Sequence, residues 1–243
     1  MIASNVLKAS ILIILISVLL NTAEQSTAST TFESEHLIVN SDQNLQEIID
    51  AAPSFSTIKL KPGVYREPLI IKKQITLSRD NQTTTIIQIK TKPNNAAITL
   101  KSSNIVFSNL TISNNANGLY TTAIRINKLN CTIQHCTIQD TPIGIAVWRS
   151  HNNILNSSFY NCSDEGILLI STSISTSNYN KILNCHFENN CDGIELQHSS
   201  YNSIKHCTFK KNTHSGIDAI CDSNDHNIIS NCTIVDNIVH GIY

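Results

Sequence analysis

Charge is scarce in this chain and aromatic rings scarcer: 14% of its 243 residues are charged and 5% aromatic. The 17 Lys and Arg are balanced by 18 Asp and Glu, and no basic block stands ready to neutralise phosphates, which argues against a nucleic-acid partner. The Leu, Ala, Glu and Lys that a helical bundle needs are also in short supply. No cysteine precedes Cys131, so an N-terminal lipoprotein site is missing. The single Met is Met1 and there is no His-x-His, so a dedicated copper site lacks its usual donors. The main apolar run, ASILIILISVLL at 9–20, is short for a transmembrane helix.

That run follows Lys8 and precedes small polar residues, the layout of a secretory signal peptide over residues 1–23, with an uncleaved anchor as the alternative. Residues 24–35 read as a Ser/Thr-rich linker, and residues 36–243 as one domain that needs no membrane span once the signal is removed. The expected location is secreted, periplasmic or cell-surface. Residues 36–56 read as an N-terminal cap: a strand at 36–39, then a helix of about three turns with Leu45, Ile48, Ile49 and Ala52 on one face. Ser41 or Asp42 is its expected N-cap, and Pro53 its stop. TIKLK at 57–61 and LIIKKQITL at 69–77 read as strand.

What the chain has in abundance is Asn, 29 residues of it, and a repeat that becomes clear from residue 98. Gly118, Gly144, Gly166, Gly193, Gly216 and Gly241 recur at intervals of 22 to 27 residues. Six or seven places before each stands Ile112, Ile138, Phe159, Phe187, Phe209 or Ile234. The consensus I-x-[NH]-C-x-[FI]-x-x-N-x-x-(x)-G-I-x-L alternates with period two and breaks at Asn-rich corners. Such a coil of short strands, too small to fold alone, implies an all-β parallel solenoid closed by the short N-terminal helix. Cys136, Cys185, Cys207 and Cys232 share a core position with Leu110 and Ser158, and so read as buried thiols. Cys131, Cys162, Cys191 and Cys221 fall outside that ladder and leave disulfides open. Asn109, Asn156, Asn184 and Asn231 form one expected amide ladder, and Asn115, Asn190, Asn212 and Asn237 a second.

The layout LQEIIDAAPSFSTIKLKPGVYREPLIIKKQITL, followed by N-x-I-x-N-C-x-F-x-x-N-x-x-G-I-x-L, resembles the right-handed parallel β-helix proteins of the pectate-lyase-like superfamily. Within them it is most similar to the NosD-type group of periplasmic copper-binding proteins and carbohydrate-binding and sugar-hydrolase domains. The resemblance implies a right-handed coil and a carbohydrate or cell-surface partner. If the protein is an enzyme, it implies a polysaccharide lyase, glycoside hydrolase or epimerase. Such folds usually end in a cap, whereas this sequence stops at Tyr243 in mid-coil, which suggests an incomplete end or one that meets a partner.

On the strand after each Gly, the outward positions carry Ala146, Leu168, Glu195 and Asp218, then Trp148, Ile170, Gln197 and Ile220. Glu195 and Asp218, on adjacent coils in one register, are the candidate catalytic carboxylates; Asp192, read as an edge residue, and His198 are weaker candidates. Trp148, Arg149 and Gln197 are candidate sugar-binding residues. No metal site stands out, His186 and His206 being the nearest to one. No cofactor is required; the carboxylate pair would suit a divalent cation such as calcium, and the NosD likeness would suit copper. Three functions remain: polysaccharide binding or processing along the outer sheet, a non-catalytic structural or adhesive module, and a NosD-like metal accessory protein.

Overall fold

A computed structural model describes residues 36–80 and 84–243; the expected signal peptide at 1–23 and linker at 24–35 lie outside the described residues. After a first strand at His36–Val39 and a short helix, the chain from residue 57 winds repeatedly through three sheets, laying one short strand in each per turn. One turn runs Lys181–Leu183, His186–Glu188 and Asp192–Gln197, and the next Ser203–Lys205, Thr208–Lys210 and Ser215–Ile220. The first sheet has nine strands and the other two have eight each; every strand pairs in parallel with its counterpart one turn away. The domain is therefore the expected parallel solenoid.

Period-two alternation places one side chain in two inside, and the parallel register stacks like upon like. Phe159, Phe187 and Phe209 are fully buried, with ring centroids 4.7 and 4.8 Å apart. Ile145, Ile167, Ile194 and Ile217 form a second buried column. Each such residue contributes on the order of 1.5–3 kcal/mol. Corners take left-handed backbone at Asn109, Asn156, Asn184 and Asn231, with φ of 60, 48, 55 and 54°. Asn tolerates that conformation better than other residues with a Cβ, which explains its abundance.

The amide ladders differ from expectation. The corner asparagines turn the chain, and of the four only Asn184 and Asn156 bond to one another through their side chains, Asn109 donating instead to Ser108 Oγ. The backbone amides are instead caught by a ladder at the first Asn of N-x-I-x-N-C, a position not singled out in the sequence: Asn152 N–H donates to Asn180 Oδ1, Asn180 N–H to Asn202 Oδ1, and Asn202 N–H to Asn227 Oδ1. The ladder of Asn190, Asn212 and Asn237 does form, but Asn115 is exposed and outside it.

Further details correct or complete the sequence reading. The helix, Leu45–Ala51, has two turns, and its N-cap is Asn44, whose side chain accepts from Glu47 N–H. Residues 69–77 bend, putting Leu69–Ile71 in the third sheet and Thr76–Arg79 in the first. The thiol column passes through buried Ser157, which hydrogen-bonds Cys136 N–H, rather than Ser158. All eight cysteines are free, and burial pushes the Cys131 and Cys136 thiols up to about 11. Finally, Gly118 lies in a corner loop with φ 126°, and the place it was expected to fill belongs to Ala123, which is in register with Gly144 on the next turn.

Candidate active site on the third sheet

The outer face of the third sheet carries three columns of side chains, read along the solenoid axis. The register Arg125, Ala146, Leu168, Glu195, Asp218 forms the middle column. Beside it runs the position just before each Gly, with Ile143, Glu165, Asp192, Ser215 and His240. On the other side stand Trp148, Ile170, Gln197 and Ile220.

These columns gather Glu165, Asp192, Glu195 and Asp218, joined by Asp164 and His214 from the adjoining corner. The four strand carboxyls are each at most 7% exposed, so the picture of a solvated acidic wall does not apply. Asp192 is no edge residue: its Oδ1 lies 2.9 Å from His214 Nδ1 and accepts from Ser215 N–H at 2.7 Å. His214 Nδ1 is also 3.6 Å from Asp218 Oδ2. Glu195 Oε1 accepts from the Gln197 amide. Glu165 Oε2 and Asp218 Oδ1 are buried without any hydrogen-bond partner.

Such crowding costs energy unless protons or cations are held there. Burial, and then the carboxylates of Asp164 and Glu195, push the Glu165 carboxyl up to about 10. Burial also raises Glu195, against hydrogen bonds that lower it, and raises Asp218, with Asp192 adding to the effect. The contact with Asp192 raises the His214 imidazole.

Of the residues singled out in the sequence, Glu195, Asp218 and Asp192 converge. Trp148 lies on the same face, half-buried against Ile143, Ala146, Leu168 and Ile170. Arg149 turns back to bond the Trp148 carbonyl, and Gln197 is engaged by Glu195. His198 is an exposed corner residue with φ 51°, bonded to the Asp222 carbonyl. His186 sits on the second sheet, 3.1 Å from Glu188, and His206 is an exposed corner with φ 55°, so this pair does not build a metal site. Sequence reasoning missed Glu165, Asp164, His214 and Arg125. The signal for Glu165 was present: it stands just before Gly166 as Asp192 stands before Gly193.

Towards the N-terminal turns the face becomes basic. A cleft of about 600 Å³ is lined by Lys90, Lys92, Arg125, Thr99 and Ile70, and Arg125 is held by the Tyr120 and Asn94 carbonyls.

The model of the right-handed beta helix region matches residues 73–234. No curated protein matches the chain in sequence. Among solved structures, the ORF18 protein of Geobacillus virus E2 has a TM-score of 0.55 at 15% identity, with 81% of this chain and 48% of that one covered. An alginate lyase from Paenibacillus sp. str. FPU-7 follows at 0.50 and 11%, with 82% and 97% covered. The A-module of a mannuronan C-5 epimerase from Azotobacter vinelandii gives 0.46 at 17%, with 79% and 73% covered. The chain spans about half the length of the viral protein. At such identities the shared property is the fold.

Proposed function

The chain belongs to the right-handed β-helix family, and on that frame we propose that it binds a polysaccharide lengthwise along the outer face of the third sheet and processes it by acid–base chemistry. The observation that carries this reading is the convergence of Glu165, Asp192, Glu195 and Asp218 on neighbouring turns, with His214 beside them and, among the described residues, no Lys or Arg ion-paired to them. Carboxyls pushed to different proton affinities divide naturally into an acid and a base. Glu165 keeps its proton for the leaving glycosidic oxygen, and Glu195 or Asp218 accepts one. Trp148 and Ile170, packed against buried Leu168, offer the apolar surface a sugar ring packs on. The Arg125 cleft, about 14 Å away across three strand spacings, favours an acidic sugar. An alginate lyase on the same fold is consistent with this reading, although the fold alone does not establish it. Secretion or surface display, expected from residues 1–23, would bring the site to such substrates.

The test is turnover on a panel of acidic and neutral polysaccharides. One acidic polymer is expected to be cleaved or epimerised, with Glu165→Gln and Glu195→Gln each slowing turnover by at least about 100-fold while the β circular dichroism persists. Absence of both turnover and binding across the panel would overturn the proposal.

A further inference from the structure

We infer that Asp192, His214 and Asp218 form a binding site for one divalent first-row transition ion of the zinc class. Each offers a ligand atom within 4.8 Å of the other two. His214 Nδ1 stands 2.9 Å from Asp192 Oδ1 and 3.6 Å from Asp218 Oδ2. Donors placed about 2.1 Å from a common ion are separated by about 3.0 Å at a right angle and about 3.4 Å at the tetrahedral angle. The two His214 spacings fall close to that range and the two carboxylates stand within 4.8 Å of each other, so side-chain rotations bring all three donors onto one ion. It would replace the His214 Nδ1–Asp192 contact, leaving the imidazole proton on Nε2.

A second observation points to a ligand independently. Asp218 is 4% exposed and its Oδ1 has no hydrogen-bond partner, a state that burial makes costly and a bound cation relieves. Asp192 is oriented for the task by the Ser215 N–H. The His214 side chain is 39% exposed, which leaves an entry path and room for water or substrate to complete the shell. The donor set identifies the ion class: calcium seeks six to eight oxygens at longer distance, whereas an imidazole with two carboxylates suits zinc and its neighbours. The site shares the acidic face with the proposed catalysis, but its occupancy does not depend on turnover.

The test is calorimetry of the dialysed full chain with zinc chloride, without polysaccharide, supported by the visible spectrum of the cobalt form. One ion per chain is expected, with affinity falling at least about 100-fold in His214→Ala and in Asp218→Asn and persisting in Glu195→Gln. Circular dichroism of each variant confirms its fold. No uptake, uptake unchanged by His214→Ala (as thiol-held zinc would show), or tighter binding of calcium than of zinc would each overturn the assignment. Metal uptake without activity would sink only the catalytic reading.

Discussion

Glu165 is a carboxyl that folding forces to keep its proton. Its pKa is raised to about 10 by burial and by its acidic neighbours, whereas in the unfolded chain it ionises near the ordinary value. The folded state therefore holds the extra proton, and its stability falls as pH rises above about 4.3, continuing to fall towards the raised folded value. The slope from this group approaches about 1.4 kcal/mol per pH unit. Glu165→Gln keeps the shape and removes the titration. Urea melts should find the variant more stable than the parent at neutral pH, the gap widening towards alkaline pH and closing in acid. An unchanged gap across that range would mean that Glu165 ionises freely. The sequence marks this position only by its place before Gly166, equivalent to that of Asp192, which read as an edge residue. Its burial comes from side chains on other turns and from Asp164 at the corner, and a one-dimensional repeat does not display those.

At the scale of the strand, the third sheet is set by how closely its backbones approach. A Cβ added at Gly193 would lie 2.4 Å from the Gly216 carbonyl oxygen and 2.5 Å from Phe209 Cδ1. Gly144, Gly166 and Gly216 meet the same obstruction, a carbonyl of the next turn. The glycines are thus required by contact between turns, not by turn geometry. Gly193→Ala should destabilise the domain by about 3 kcal/mol, read as a drop in denaturation midpoint. Recurrence of Gly, Phe and Ile in register made the coil legible. The asparagines Asn152, Asn180, Asn202 and Asn227 stand two places before Ile154, Ile182, Ile204 and Ile229, as the first Asn of N-x-I-x-N-C, so their recurrence was legible too; what a repeat does not display is that each side chain from Asn180 on catches the backbone amide of the turn before.

Over the whole β-helix, polarity changes along the axis: Lys90, Lys92 and Arg125 at early turns, an apolar middle around Trp148 and Leu168, and the acids later. An extended chain laid along this face meets the three regions in order. Arg125→Ala should weaken binding of an acidic polysaccharide about tenfold and flatten its salt dependence, leaving a neutral glycan's affinity unchanged. Equal losses for both would make Arg125 a packing residue. The sequence foretold the solenoid and its outward Glu195–Asp218 pair, but the basic cleft went unnoticed because Lys90 and Lys92 come from a corner and Arg125 stands four residues before Leu129 in a turn with no Gly at the register position.

Trp148 lies midway along that face, half-buried, with its indole N–H unpartnered. It is also the chain's sole tryptophan. The protein therefore carries its own fluorophore at the centre of the surface in question, and excitation of the indole gives a label-free signal from one location. A ligand settling there should shift or quench the emission, while one held only at a distant face should leave it unaltered.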